Sequence, residues 1–227
     1  MTYDFRDERI KVFPAGLCRA VVRRLLDNPS QVARVMDLYG DYRGPDVEQQ
    51  RLKNKREVVD MFQVHDIVAS NAFGPEPGTP SAGLWILASY INHSCLPNSE
   101  KEYIGDLMVV RATQHMPAGE EITYAYDLSS DYDARLETLM RTWGFRCDCK
   151  LCVAEKEDSA AVRKKRRELE REANALVEKG EAGRLAAVKA KRLVREIEGT
   201  FNEERYRGLP RMALMRIQKW IVEAGKR

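Results

Sequence analysis

The chain reads as an α+β protein. Helical periodicity dominates its two ends, while signals for short strands and tight turns gather between residues 91 and 126. A Cys-x-Cys-x-x-Cys cluster at Cys147, Cys149 and Cys152 follows the strand region after one short helix, and it points to a metal. With 227 residues and 44% hydrophobic content, the chain can build one large domain or a medium domain with a helical appendage.

Residues 1–13 carry little pattern. Leu17, Val21, Val22 and Leu25 recur at helical spacing and predict a helix stopped by Asn28-Pro29. Cys18 lies beside that stripe and reads as a small buried hydrophobe. Ser30 is expected to cap a short helix through Val32, Val35, Met36 and Tyr39, with Gly40 as its stop. Residues 40–55 are polar and turn-like. Val58, Met61, Phe62, His65, Val68 and Ala69 predict a stronger helix ending at Asn71–Gly74, with His65 a core histidine on its apolar face. The stretch 75–83 holds three prolines and two glycines and reads as an exposed loop.

Ile91-Asn92-His93-Ser94-Cys95-Leu96-Pro97-Asn98 is a held loop, because Pro97 fixes φ and drives Leu96 into an extended conformation. Lys101–Ile104 and Leu107–Ala112 flank Gly105-Asp106, a two-residue hairpin turn signal. Pro117-Ala118-Gly119 marks another turn, and Glu121–Tyr126 is rich in β-branched and aromatic residues. Asp133–Trp143 reads as a short helix with Leu136, Leu139 and Met140 on one side. From Ala160 three stripes follow: Val162, Leu169, Ala173, Leu176; then Ala186, Ala190, Val194, Ile197, Phe201; then Leu214, Ile217, Ile221, Ala224. Gly180 and Gly208 sit at the breaks, and Pro210 lies near a helix start. Helices of this kind are unstable alone, so they must pack on each other or on the preceding domain.

Charge is unevenly spread. Residues 1–154 carry 18 Lys/Arg against 22 Asp/Glu, a net of −4, and residues 155–227 carry 20 against 13, a net of +7. A basic third suits nucleic acid or an acidic partner; a solvated helix face is the preferred reading. The longest apolar stretch, Leu84–Ile91, is too short to span a bilayer, and Met1-Thr2-Tyr3-Asp4 does not open a signal peptide. The expectation is a soluble protein of the nucleus, the cytoplasm or both. Five cysteines, three of them clustered, suit metal thiolates in a reducing compartment better than disulfides. A closed structural zinc site takes four ligands. Cys147, Cys149 and Cys152 supply three, and Cys95, in its rigid loop, is the economical fourth because Cys18 lies in a helix. The alternative is a reduced, unliganded cluster.

Asn92-His93-Ser94-Cys95-Leu96-Pro97-Asn98 resembles the NHSCxPN signature of SET-domain protein lysine methyltransferases. Gly119-Glu120-Glu121-Ile122-Thr123-Tyr124-Ala125-Tyr126 resembles their GEELTxxY strand, and Cys147, Cys149 and Cys152 resemble the post-SET zinc motif. The detailed resemblance covers roughly residues 56–152. Trp143-Gly144-Phe145-x-Cys and the basic tail look most like fungal SET proteins with tetratricopeptide repeats and, more distantly, the SET-and-MYND branch. The resemblance implies a β-clip SET fold with inserted helices. It also implies a division into a helical segment 1–55, a C-terminal SET core 56–142, a post-SET zinc flap 143–154 and a basic helical tail 155–227. It implies S-adenosyl-L-methionine held by Asn71, Ser89, Asn92, His93, Trp143 and Phe145, and zinc held by Cys95, Cys147, Cys149 and Cys152. Tyr126 would be the active-site tyrosine, with Tyr124 lining a lysine channel, and the partner would be a protein substrate, such as a histone, presenting a lysine.

The chain departs from the family at its start. The Gly-x-Gly segment that binds the methionine end of the cofactor is not found in residues 1–55, where Gly40 and Gly44 are too far apart, and the MYND zinc cluster is missing. The expectation is an incomplete SET domain, active when that wall of the site is supplied, or else an inactive zinc-stabilised binding or scaffold module.

Overall fold

A computed structural model describes residues 2–4, 9–11, 15–42, 59–74, 82–180 and 183–224. It is a mixed helix and sheet structure with two compact units. The first comprises residues Met1–Asn92 and Asn98–Thr123, the second His93–Pro97 and Tyr124–Arg227.

The first unit opens on two antiparallel strands, β1 (Thr2–Asp4) and β2 (Arg9–Lys11), with Thr2 opposite Lys11. This pair lies where the sequence carries little pattern, because three-residue strands are too short to display a period of two. Helix α1 (Ala15–Asp27) ends as expected: the Asn28 side chain donates to the Arg24 carbonyl at 2.9 Å, and Pro29 opens a single 3-10 turn, Pro29–Gln31. That turn runs directly into α2 (Val32–Met36), so Ser30 lies inside it and does not cap α2; Gln31 holds the N-cap position without a side-chain capping bond. Asp37, rather than Gly40, closes α2.

Helix α3 (Met61–Asn71) begins at Asp60, whose carboxylate accepts from the N–H groups of Phe62 (2.8 Å) and Gln63 (3.3 Å). Its buried face is Val64, Ile67, Val68 and Asn71, one phase away from the expected stripe. Met61 and Phe62 are 61% and 73% exposed, and His65 is only half-buried. Apolar residues occur in both phases of this segment, and packing with α1 and α2 selects one of them. Cys18, Leu25, Val32, Val35, Leu38, Val64, Ile67 and Val68 make the core, with Cys18 buried as expected. Val58 and most of the polar 40–55 and 75–83 stretches lie outside the described residues; Phe73 bridges to Gly83 across the latter.

Helix α4 (Ile86–Ser89) leads to β3 (Asn92–His93). The hairpin of β4 (Ser99–Ile104) and β5 (Leu107–Ala112) follows, with Ile104 opposite Leu107 and Gly105 in the turn at φ 59°. The Trp85 indole N–H donates to the Asp106 carbonyl at 3.1 Å, and its ring packs on Phe73 and Tyr103. The expected strand over 121–126 contracts to β6 (Thr123–Tyr124), which pairs with β3.

The second unit is helical: α5 (Tyr132–Trp143), α6 (Lys150–Lys156), α7 (Ala160–Lys179), α8 (Arg184–Glu198), a 3-10 turn Met212–Leu214, and α9 (Met215–Ala224). The helices do pack on one another. Leu151, Cys152 and Ala154 of α6 share one core with Ala173, Leu176, Ala190, Leu193, Ile197, Phe201, Leu214 and Ile217. A buried ionic knot sits beside it. Arg166 pairs with Asp158 at 2.7 Å, lies 3.7 Å above the Phe201 ring, and the Tyr206 hydroxyl donates to Asp158 at 2.6 Å. Much of the surface basic charge of 155–227 is ion-paired, as with Arg192–Glu172, Lys189–Glu172 and Arg216–Glu178. No described helix is long and apolar enough to cross a membrane.

Candidate functional site

The four cysteines named from the sequence come together. The sulfurs of Cys95, Cys147, Cys149 and Cys152 all lie within 4.8 Å of one another, with Cys95 and Cys152 3.5 Å apart. Local structure explains the convergence. Gly144, in the left-handed region at φ 73°, caps α5 through its N–H to the Met140 carbonyl and turns the chain toward Cys147. Cys149 is the N-cap residue of α6, and Cys152 lies in that helix's first turn. Cys95 sits in a turn braced by the Ser94 hydroxyl, which accepts from the Leu96 N–H at 3.0 Å. Tetrahedral zinc with Zn–S bonds of about 2.3 Å places sulfurs roughly 3.8 Å apart, so four thiolates at this spacing fit the ion.

As thiols, these groups compete for protons. Hydrogen bonding from Cys149, then Cys152 and Cys95, drives the Cys147 thiol strongly toward thiolate, while bonds to Cys147 and then Cys149 hold the Cys152 proton on. A divalent cation resolves this competition by taking all four sulfurs as thiolates.

A charged pair stands against the cluster. Arg135, 1% exposed on α5, pairs with Glu155, 3% exposed on α6, and its Nη1 donates to the carbonyls of Ser129 (2.9 Å) and Ser130 (3.2 Å). Burial pulls the guanidinium pKa down, but Glu155 and then the Cys95 and Cys152 sulfurs push it up, for a net rise. Burial lifts the Glu155 carboxyl to about 6 against the pull of Arg135. Arg135 Nε is the buried side-chain polar atom without a hydrogen-bond partner among the described residues. Within this pair, Arg135 sets a permanent positive charge beside the Cys95 and Cys152 sulfurs, which carry negative charge when metal-bound. The sequence places Leu136, Leu139 and Met140 on one side of this helix; Leu139 is fully buried, Met140 is 42% exposed, and Arg135 is buried beside Leu139's face. Only the partner, Glu155 on another helix, makes such an arginine intelligible.

The aromatic residues also cluster. Tyr126 centres the group, with ring centroids 4.9 Å from Trp143, 5.0 Å from Tyr124, 5.3 Å from His93 and 6.2 Å from Phe145. Phe145 lies 5.9 Å from His93. Tyr124 is buried and Tyr126 half-buried. His93 uses both ring nitrogens: Nδ1 accepts from the Tyr126 N–H at 2.9 Å, and Nε2 lies 3.2 Å from the Cys95 sulfur.

The other cofactor candidates, Asn71, Ser89 and Asn92, belong to the first unit. The Asn71 amide donates to the carbonyls of Tyr39 (2.7 Å) and Ile67 (2.8 Å), leaving its oxygen as the acceptor it can offer. The Ser89 hydroxyl bonds back to the Trp85 carbonyl at 3.0 Å, which leaves the backbone role expected for it untouched. Asn92 is exposed and donates to Glu121 at 2.7 Å. Asn98, not singled out before, is the organising residue here. Its amide donates to the Glu121 carbonyl (2.8 Å) and the Glu120 carboxylate (3.2 Å), and its oxygen accepts from the Thr123 N–H (2.8 Å). An asparagine closing a Pro-containing loop was the available signal.

A protein whose Pro-braced loop and cysteine knuckle meet at a four-sulfur centre beside a tyrosine-centred aromatic cluster has the parts of a SET protein, and residues 19–127 match the SET domain family model. Over that stretch the chain carries a SET domain. It is similar to a protein of Gibberella zeae named "Methyltransferase", 32% identical over 212 residues, covering 82% of this chain and 28% of that protein. It is also similar to histone-lysine N-methyltransferase SMYD3 of Mus musculus, 32% identical over 104 residues, covering 44% of this chain and 24% of that protein. N-lysine methyltransferase SMYD2 of Homo sapiens is 38% identical over 73 residues, covering 32% and 17%. The matched stretches span less than a third of the length of each relative.

Proposed function

We propose that the chain carries the substrate-tyrosine and metal-bearing part of an S-adenosyl-L-methionine-dependent protein lysine N-methyltransferase. The observation that carries this reading is Tyr126, ringed by Tyr124, Trp143, Phe145 and His93 within a chain bearing a SET domain. Aromatic faces attract a sulfonium cation and stack on a flat base, so the residues present suit that cofactor. When bound, it supplies an electrophilic methyl group. Trp143, Phe145 and His93 are the residues of the second unit assigned to hold it.

The chain's own task is alignment and control of a proton. Transfer is an in-line displacement, so orientation carries much of the rate. The lysine amine must be neutral, and deprotonating a free lysine at pH 7 costs about 4.6 kcal/mol. A cation nearby and a poorly hydrated aromatic channel both lower that cost. The Tyr126 hydroxyl orients the neutral amine, and Tyr124 walls the channel. The four cysteines hold a structural zinc. Histones are among the protein substrates to try, and we place the work in the nucleus, the cytoplasm or both, which tagged-protein imaging tests.

The test is transfer of labelled methyl groups to histones and to lysine-containing protein mixtures. Tyr126→Phe should reduce transfer at least tenfold, consistent with loss of one positioned group. Equal transfer by the variant rejects the assigned role. A metal assay finding no zinc in purified protein rejects the metal reading independently.

A further inference from the structure

Among the described residues, His93 touches both the Cys95 sulfur and the backbone of Tyr126. Its Nδ1 lies 2.9 Å from the Tyr126 backbone nitrogen, and its Nε2 lies 3.2 Å from the Cys95 sulfur. The neighbouring residue ties the same two segments again, through the Ser94 N–H to the Tyr124 carbonyl at 3.2 Å.

A backbone N–H can only donate. Nδ1 must therefore present its lone pair, and the proton of the ring must sit on Nε2. That proton points at Cys95. A metal-bound Cys95 is a thiolate with no proton of its own, so it can only accept, and the Nε2–H···S bond becomes charge-assisted. A Cys95 thiol is a weaker acceptor. Outer-shell donors of this kind orient metal ligands and tune their hold on the ion.

We infer that His93 is a positioning residue of the metal centre, one that bonds the Cys95 thiolate through Nε2 and the Tyr126 backbone through Nδ1. The Tyr126 N–H fixes the ring tautomer, the metal-bound thiolate strengthens the bond that this tautomer makes, and the ring ties the backbone of the catalytic tyrosine to the metal centre. A metal that looks purely structural then helps set the active-site geometry. This role is additional to cofactor contact by His93, and it rests on the reading of the four cysteines as a metal site.

Amide side chains separate the two bonds. In His93→Asn the amide oxygen takes the place of Nδ1 and can still accept from Tyr126, but nothing reaches the sulfur. In His93→Gln the amide nitrogen takes the place of Nε2 and can still donate to the sulfur, but the Tyr126 N–H loses its acceptor. Zinc release from the zinc-loaded full chain to a chelator, cobalt-thiolate absorption after metal exchange, and Tyr126 amide hydrogen exchange read the two bonds without any assay of activity. His93→Asn should release zinc about 10–100-fold faster than wild type and shift the cobalt-thiolate bands. His93→Gln should hold zinc within a few-fold of wild type, while its Tyr126 amide exchanges faster. Nitrogen shifts of the wild-type imidazole should report the Nε2–H tautomer, a measurement that needs no variant to fold.

Zinc release at the wild-type rate in His93→Asn, or an Nδ1-protonated ring in the zinc-loaded wild type, overturns the inference while leaving the metal site standing. A wild-type chain that takes up no zinc overturns the metal reading itself, and the inference with it.

Discussion

The two compact units bury different chemistry. The first is closed by aliphatic side chains from α1, α2 and α3, and its helical core includes no charged residue among those described. The second buries Arg135, Glu155, Asp158 and Arg166 together with Cys95 and Cys152, alongside an aliphatic core of its own. The first unit's stability rests on area removed from water. The second depends in addition on every buried charge keeping its partner, because an unpaired buried ion costs several kcal/mol.

Metal removal should separate the units most sharply. Chelation should lower the stability of the second unit by on the order of 5 kcal/mol, short of the roughly 10–16 kcal/mol of small zinc fingers because this unit has its own core. Hydrogen exchange checks it: amides of α6–α9 should lose protection while α1 and α3 hold theirs. Equal loss in both units would erase the contrast.

Arg135→Met should cost about 3–5 kcal/mol by leaving Glu155 buried and unpaired, and pairing it with Glu155→Leu should recover most of that. Denaturant unfolding of both variants reads the outcome. No recovery in the double variant would mean that Arg135 acts chiefly on the sulfurs.

Ile67→Ala is the matching test in the first unit, expected to cost about 2–4 kcal/mol as a cavity. Zinc affinity should not change, and a change in it would break the comparison from the other side.

The smallest effect expected is at Tyr206. Burial first, and the bond to Asp158 second, raise its pKa above the ordinary tyrosine value. The folded state therefore holds this proton more tightly than the unfolded chain. Its stabilisation is fully present below about pH 10 and is lost as pH rises from there through the raised value. Tyr206→Phe should cost about 1–3 kcal/mol at neutral pH and remove that part of the alkaline loss, read by unfolding at a series of pH values.

How legible the molecule was in its sequence differs between the same two regions. In the first unit the hairpin about Gly105-Asp106 was readable, because a two-residue turn signal sets its own register. Helix α3 was located correctly, but the phase of its buried face was not. Met-Phe-Gln-Val-His-Asp-Ile-Val offers two apolar faces, and only contact with α1 and α2 discriminates between them. Ser30 failed as a cap for a similar reason: capping is a matter of backbone geometry, and Pro29 had already set that geometry as a 3-10 turn. The short β1–β2 pair left no pattern to read.

In the second unit the metal cluster was legible down to its fourth member. Thiolate chemistry admits few residue types, and Cys95 stood in a loop that Pro97 holds. The buried Arg135, Glu155, Asp158 and Arg166 were not legible. A charged residue in a helix reads as solvated until its partner is seen, and these partners come from other helices.

The sequence by itself therefore determined the α+β class, the strand hairpin, the four cysteines of the cluster and the Tyr126 motif, because each depends on residue type and short spacing. Only the tertiary structure decided which face of α3 is inside, where the buried charges find partners, and that both nitrogens of His93 are engaged. Those depend on distances between segments far apart in the chain, and hydrogen-bond and ion-pair energies are set by those distances.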